Sequence, residues 1–221
     1  MSGNFGDRLM YIDGQFLPGS DDQWIDSVNP GTEEVHGRVP VGTVQDVNRA
    51  VDAAEAAQPG WAALSVWERR DVLRKLGAAM RARTAEILPL EAADTGNTIG
   101  SLGRDVEVAA NYLDYFSGLG TEIKGDSVPA SEAGMPFSLR APSGVVARIV
   151  PFNHPFLFAA AHLAAPLMAG NAVIVKTPET SPLSGTLMGE ICRDVLPPGL
   201  VNIVHGPGLP TGDALVRHPK I

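Results

Sequence analysis

Two short segments decide the fold of this chain. Residues 148–155 read Arg-Ile-Val-Pro-Phe-Asn-His-Pro, and residues 172–179 read Ala-Val-Ile-Val-Lys-Thr-Pro-Glu. Each begins as an apolar run typical of a buried strand and ends in polar side chains, which are Asn153 in the first and Lys176 and Glu179 in the second. Because loops that follow parallel strands are where α/β proteins place ligands, the two segments predict a site built from strand ends.

A strand–helix alternation surrounds these segments. The pattern predicts strands at 145–150, 172–176 and 200–204, with an apolar helix near 155–168 and another that ends near Val195. Ser181-Pro182 is predicted to start the latter as N-cap and first-turn proline, and Thr211 to cap a last short helix. This alternation indicates βαβ units and a parallel sheet.

The N-terminal part of the sequence does not show this strand–helix alternation. Residues 9–17 are predicted to form a hairpin that turns on Asp13-Gly14, followed by a Pro/Gly-punctuated loop through Gly42. Helices are predicted after Thr43-x-x-Asp46 and after the capping box Ser65–Glu68, and over about 104–116. Residues 121–141 carry Gly125, Pro129, Gly134 and Pro136 and indicate irregular or extended structure.

Composition excludes several classes of function. The 221 residues are 44% hydrophobic and 19% charged, with a net charge of −8, so nucleic acid and anionic membranes are not expected partners. The longest apolar stretch, 155–169, is too short for a membrane span of about 20 residues. One cysteine excludes an internal disulfide and fits a reducing compartment, so a cytoplasmic protein is predicted.

Asn153 has two interpretations. It can be an ordinary N-cap of the apolar helix that follows. It can also present a neutral amide N–H to an oxygen that becomes negatively charged during a reaction, a contact whose loss costs about 3 kcal/mol.

The segment Pro151-Phe152-Asn153-His154-Pro155 resembles the Pro-Trp-Asn-x-Pro signature of NAD(P)-dependent aldehyde dehydrogenases, with Phe152 at the usual tryptophan. The resemblance implies an α/β fold, a Rossmann-like sheet with an added helical layer and a bridging strand segment. It implies oxidation of an aldehyde to a carboxylic acid, with Asn153 holding the thiohemiacetal oxygen. It further implies that the cofactor is lined by Ile149, Val150, Pro151, Phe152 and Asn153.

Lys176-Thr177-Pro178-Glu179 follows a strand and, by itself, is equally compatible with an exposed loop. The aldehyde dehydrogenase family has Lys-Pro-Ser-Glu or close variants here, with the lysine and glutamate on the adenosine ribose. The resemblance therefore assigns both residues to the cofactor. A carboxylate near the 2′ position would repel a 2′-phosphate, which favours NAD and leaves NADP open.

The glycines of Gly206-Pro207-Gly208 and Gly212 give G-x-G-x-x-x-G, which departs from the usual dinucleotide fingerprint and is equally explained by a strand-to-helix turn. The family has a Val-Asn-Ile-Val strand and a Gly-x-Gly turn beside the adenine. Val201-Asn202-Ile203-Val204 matches that strand, so the resemblance assigns Gly208 and Gly212 to the cofactor site.

Three further residues bear on the chemistry. Cys192 lies in a predicted helix and is interpreted as a small buried hydrophobe, not as the family's nucleophile. By the resemblance, His154 and Val108 shape the aldehyde pocket. His154 and His162 are eight residues apart, which matches no standard metal spacing, so no metal is expected.

The resemblance divides the chain into 1–120 (hairpin and helices), 121–141 (bridging strands of a homo-oligomer interface) and 142–221 (first βαβ units of the cofactor sheet). The family's nucleophilic cysteine, general-base glutamate and pyrophosphate turn are not found, so this chain alone is expected to be inactive. Three alternatives remain open: a non-catalytic partner of full-length subunits, a truncated gene product, and part of an acyl-CoA-forming relative.

Overall fold

The computed structural model describes residues 4–132 and 134–221. Residues 1–3 and Ala133, which falls in the predicted bridging strands, lie outside the described part. The elements in chain order are β1 (Gly6–Asp7), β2 (Met10–Ile12), β3 (Gln15–Leu17), β4 (Trp24–Val28), β5 (Val35–Pro40), α1 (Val44–Ala63), α2 (Val66–Ala82), α3 (Thr84–Thr95), α4 (Ile99–Gly118), β6 (Val145–Ile149), α5 (Pro155–Ala161), α6 (Ala164–Met168), β7 (Ala172–Lys176), α7 (Ser184–Val195), β8 (Val201–Val204) and α8 (Asp213–Arg217).

The larger sheet has five strands in the order β3-β2-β8-β7-β6. Strands β6, β7 and β8 are parallel and consist almost wholly of apolar residues, as expected of strands covered on both faces. The α/β prediction is confirmed. The sheet is mixed, because the predicted N-terminal hairpin joins it in antiparallel orientation, with Tyr11 opposite Ile203. Asp13 and Gly14 both have positive φ (51° and 76°), as a tight hairpin turn requires.

A second, smaller sheet replaces the loop predicted between the hairpin and Gly42. It has the order β1-β5-β4 and packs through Val39 onto Leu90 and Leu183. A side chain at Gly37 would approach the Leu183 methyl carbon to 2.9 Å, so this glycine permits close packing inside a strand. The Gly and Pro residues that suggested a loop therefore lie in or beside short strands.

The helix starts follow the predicted caps only in part. Thr43–Asp46 and Ser65–Glu68 form capping boxes at α1 and α2, as predicted. Ser181 and Thr211 cap nothing: their hydroxyls donate to the carbonyls of Phe152 and Gly42. The backbone N–H of Leu183, at the start of α7, donates instead to the Asp94 carboxylate at 2.9 Å.

Two helices differ from prediction in length. Helix α4 runs from Ile99 to Gly118 and not from about 104 to 116, so Gly100, Gly103 and Gly118, which lie outside the predicted range, are helical. The apolar helix near 155–168 is broken into α5 and α6 at His162. Pro166 explains the break, because its ring excludes the carbonyl of the residue four positions earlier and it has no N–H to donate. Helix α3 was not predicted, and it also contains a proline, Pro89.

The helical layer is fixed to the sheet crossovers by buried polar contacts. The Trp61 indole N–H donates to the Leu167 carbonyl at 2.7 Å. The buried Arg69 guanidinium has carbonyl partners only, among them those of Met168 (3.1 Å) and Leu64 (2.6 Å). These bonds tie carbonyls near the ends of α1 and α6 to side chains of α1 and α2, and the Leu167 carbonyl also accepts from the Gly170 N–H at 3.0 Å.

The bridging segment (121–141) is an exposed, loosely paired hairpin. All its described residues are exposed, and its pairing consists of two isolated bridges, Ser127 with Phe137 and Ser131 with Gly134. The described part of the segment is irregular with two isolated bridges, and the predicted bridging strands are not formed there. Its side chains include strongly exposed Met135, Phe137 and Leu139.

Candidate functional site

The site lies where three parallel strands end in one row. Ile149 is opposite Lys176, and Lys176 is opposite Val204. The pairing continues one step further, since the Val150 N–H donates to the Lys176 carbonyl at 3.0 Å. Val150 is buried, whereas Ile149 is 44% exposed. The ladder therefore fixes Lys176 in the middle of the row, with an exposed apolar side chain beside it.

Lys176 and Glu179 form an ion pair at this edge. Lys176 Nζ lies 3.1 Å from Glu179 Oε2, with the lysine side chain 3% exposed and the glutamate side chain 50% exposed. Burial would raise the pKa of Glu179, but hydrogen bonds from its own backbone N–H and from Lys176 hold this pKa below its ordinary value. An ionised carboxylate, which accepts hydrogen bonds, and a lysine ammonium, which donates them, thus lie side by side, and this set of groups fits the two hydroxyls of a ribose.

The three glycines of the turn after β8 differ in the space that surrounds them. Gly206 has φ 142°, and a Cβ there would collide with the Thr211 side chain. A Cβ on Gly212 would lie 3.9 Å from the Lys176 Cδ and Cε atoms, so Gly212 is in the neighbourhood of the ion pair. Gly208 has open space where a side chain would project. The structure therefore brings Gly212 next to Lys176, while nothing lies within 4 Å of the position that a Gly208 Cβ would take.

Asn153 is not the cap of helix α5. The N-cap residue is His154, and it makes no side-chain capping bond, so the N-cap interpretation of Asn153 is wrong. Asn153 is exposed, and its backbone carbonyl accepts a hydrogen bond from the Asn97 amide at 2.7 Å. Its own side-chain amide makes no hydrogen bond to any residue that the structure describes. Phe152 is 67% exposed and Pro151 is also exposed.

His154 is paired with a carboxylate of helix α4. Its Nδ1 lies 2.6 Å from Asp105 Oδ2, and its ring meets the Phe158 ring edge-on with 6.4 Å between centroids. Val108 follows Asp105 by three residues, hence on the same face of α4, and is 40% exposed. The two residues predicted to shape an aldehyde pocket thus stand on packed helices, α4 and α5.

A buried carboxyl group, Glu91, lies behind the site and was not found from the sequence. Its Oε2 accepts from the Phe156 N–H, in the first turn of α5, at 3.4 Å, and its Oε1 has no hydrogen-bond partner among the described residues. Burial raises the pKa of Glu91 to about 8, and the negative charge of Asp94 acts in the same direction. The sequence around Glu91 contains no motif that would indicate a buried carboxyl group with a raised pKa.

His205, directly after β8, is enclosed by hydrogen-bonding groups. Its Nδ1 lies 2.8 Å from the Thr177 hydroxyl and its Nε2 lies 3.2 Å from the Leu9 carbonyl. Burial lowers the pKa of His205 to about 4, so the ring is neutral at physiological pH. It links the ends of β7 and β8 to the N-terminal hairpin.

Cys192 is fully buried in α7, and burial raises the pKa of its thiol. A protonated, enclosed thiol is a poor nucleophile. Within residues 4–132 and 134–221, no group of three or more His, Cys, Asp or Glu side chains is placed to hold a metal ion. No helix in those ranges is long and apolar enough to cross a membrane.

Comparison with known proteins gives a consistent picture. A profile of the aldehyde dehydrogenase family matches residues 16–221. The chain is 38% identical over 215 residues to aldehyde dehydrogenase tropH of Talaromyces stipitatus, covering 96% of this chain and 42% of that protein. It is 39% identical to lactaldehyde dehydrogenase of Escherichia coli, covering 96% of this chain and 45% of that protein.

Solved structures agree with the sequence matches. The crystal structure of E. coli lactaldehyde dehydrogenase superposes with a TM-score of 0.94 at 36% identity, over 98% of this chain and 46% of that one. An NAD+ complex of aldehyde dehydrogenase from Bacillus cereus superposes with a TM-score of 0.93 at 29% identity, over 97% and 45%. The chain therefore spans less than half the length of the relatives it matches.

Proposed function

This chain belongs to the aldehyde dehydrogenase family, and we propose that it forms the cofactor-binding part of an NAD-dependent enzyme that oxidises an aldehyde to a carboxylic acid. The observation that carries the proposal is the row of strand ends. It sets the Lys176–Glu179 pair at the carboxyl edge of the parallel strands, where α/β proteins bind nucleotides. The Asn153 amide, which has no hydrogen bond to any described residue, follows the neighbouring strand β6.

Lys176 and Glu179 would hold the adenosine ribose of the cofactor. The Glu179 carboxylate accepts hydrogen bonds from ribose hydroxyls, and the spare N–H groups of Lys176 donate to their oxygens. Because Glu179 is ionised and half exposed, it also repels a phosphate at the 2′ position, which favours NAD over NADP. Exposed Ile149 and Phe152 offer apolar surface to the cofactor's rings, and Gly208 and Gly212 leave room beside it.

Asn153 would act on the aldehyde. When bound, the nicotinamide supplies the hydride-accepting chemistry. The part of this chain is to stabilise the aldehyde oxygen as it gains negative charge. A neutral amide N–H that has no competing partner suits this task, and removal of one such donor costs about 3 kcal/mol of transition-state stabilisation. The nucleophile is not Cys192, because that thiol is enclosed in α7.

The bridging segment would join copies of the enzyme. Its apolar side chains Phe137 and Leu139 are 67% and 81% exposed. Among its described residues, backbone hydrogen bonds join the two arms of the hairpin to each other, as from the Val128 N–H to the Pro136 carbonyl. An open edge with apolar side chains gains stability by pairing with another chain, so we propose that this segment is the contact of a homo-oligomer.

Cofactor titration of this 221-residue chain by calorimetry tests the first proposal. NAD+ is expected to bind about ten-fold tighter than NADP+, the equivalent of roughly 1.4 kcal/mol. The Glu179→Gln variant should weaken NAD+ binding by a similar factor and bring the two dissociation constants close together. Glu190→Gln is the matched control, because that carboxylate pairs with Arg83 and Arg8. Equal affinities for the two cofactors, unaltered by Glu179→Gln, would contradict the proposed site.

A further inference from the structure

Three consecutive residues of the loop between β6 and α5 are each held by one side chain from elsewhere. The Ser181 hydroxyl donates to the Phe152 carbonyl at 3.1 Å. The Asn97 amide donates to the Asn153 carbonyl at 2.7 Å. The Asp105 carboxylate binds the His154 ring at 2.6 Å. The loop is therefore fixed on both sides of Asn153 and at Asn153 itself.

The side-chain amide of Asn153 makes no hydrogen bond to any residue that the structure describes. Its backbone carbonyl is occupied, so its side chain is presented from a fixed backbone. A donor that is already aimed at the place where charge develops needs no reorganisation during the reaction. Groups that lock such a donor act on the reaction without touching the substrate.

Asn97 is itself held in a defined position. It follows Gly96, which ends α3 with φ 75°, and a side chain on Gly96 would approach the Pro30 ring to 2.9 Å. The Asn97 N–H donates to the Thr95 hydroxyl at 3.1 Å. The turn between α3 and α4 thus places the Asn97 amide against the loop.

We infer that Asn97 and Asp105 are positioning residues that set the aim of the Asn153 amide. Asn97 does so through the Asn153 carbonyl, and Asp105 through the ring of the next residue. The inference rests on the proposed function, because it assigns the two residues to a donor that the proposed reaction uses.

The test uses the complete enzyme that contains this chain, assayed by aldehyde-dependent NADH formation. Asn97→Leu keeps the approximate size of the side chain and removes the donor, and should lower kcat about ten-fold, the effect of one lost hydrogen bond. The KM for NAD should not change. Asn97→Gln retains a polar group and should have a higher kcat than Asn97→Leu. For the same reason, Asp105→Asn should have a higher kcat than Asp105→Ala. Asn111→Leu, an exposed asparagine on α4 bound to Arg81, is the matched control.

A double variant separates positioning from a general structural role. If Asn97 acts through Asn153, adding Asn97→Leu to Asn153→Ala should cause no further loss of kcat, because the group being aimed is already gone. Full ten-fold losses in both backgrounds would overturn the inference. So would an Asn97→Leu enzyme as active as wild type beside an Asn153→Ala enzyme that is impaired.

Results that refute the proposed function differ from those that refute the positioning role of Asn97 and Asp105. An enzyme with no aldehyde-dependent NADH formation, or one that Asn153→Ala leaves unimpaired, would refute the proposed role of Asn153. The positioning of the loop has a readout that needs no activity, by NMR on this 221-residue chain. The backbone order parameter of Asn153 should fall from about 0.85 to below about 0.6 in Asn97→Leu. An unchanged value would refute the inference that Asn97 fixes the loop.

Discussion

Replacement of Glu91 by glutamine should make the protein more stable at alkaline pH. The side chain is 2% exposed, one of its oxygens has no partner, and burial raises its pKa from 4.5 to about 8. Between those values the folded protein keeps a proton that the unfolded chain releases. The folded state then binds more protons, so the free energy of unfolding falls as the pH rises through this window.

The size of the effect follows from the pKa. At about 1.4 kcal/mol per pH unit, the rise from 4.5 to about 8 corresponds to about 4–5 kcal/mol of stability, present in full below pH 4.5 and lost by pH 8. Glutamine has nearly the same shape and no charge to bury. Glu91→Gln and wild type should therefore be similarly stable at pH 4.5, and the variant should be about 4 kcal/mol more stable at pH 8.5.

Urea unfolding followed by circular dichroism, at several pH values, measures the difference. Taking variant minus wild type removes the contribution of His205, whose lowered pKa acts in the opposite direction. Glu86→Gln on the same helix is the control. Its exposed carboxylate pairs with Arg83, which lowers its pKa, so that variant should gain nothing at high pH. A Glu91→Gln difference that stays constant with pH, or a carboxyl NMR titration centred near 4.5, would refute the reasoning.

Two further predictions concern other regions. Burial lowers the pKa of His205 from 6.5 to about 4, so on acidification the unfolded chain takes up a proton first. The free energy of unfolding of wild type should then fall by about 3 kcal/mol between pH 7 and pH 4 relative to that of His205→Gln. Urea unfolding measures this, and a difference between the two proteins that does not change with pH would contradict the prediction. In the bridging segment, Leu139→Ser should shift the sedimentation velocity profile towards that of a single chain. The control Val216→Ser makes an equally polar change at a side chain that is 71% exposed, and it should cause no shift. Identical profiles for wild type and both variants would count against the interface.

The features predicted correctly from the sequence are encoded locally. Strands β6, β7 and β8 are short apolar runs, and the first two end in the polar residues that form the candidate site. The capping boxes at Thr43 and Ser65 need only residues three positions apart. The hairpin needs only the Asp13-Gly14 turn. Each signal is complete within a few residues, because the backbone groups it satisfies are neighbours in the chain.

The features that were missed depend on a competing partner or on a neighbouring residue that overrides the pattern. Ser181 has the composition of a helix cap, but its hydroxyl binds the Phe152 carbonyl, and Asp94 receives the Leu183 N–H instead. The second sheet was predicted as a loop, since its strands are short and glycine and proline residues lie in and between them. The helix break at His162 comes from Pro166 within an otherwise continuous apolar run.

The sequence by itself determined which residues stand at the strand ends, because strand period and loop position are local properties. The tertiary structure alone decided how those residues are held. Asn97 and Asn153 are 56 residues apart, and Asp94 and Leu183 are 89 apart. A hydrogen bond needs atoms about 3 Å apart in a particular direction, and the packing of α3 against α4 and α7, and of α4 against α5, supplies that geometry.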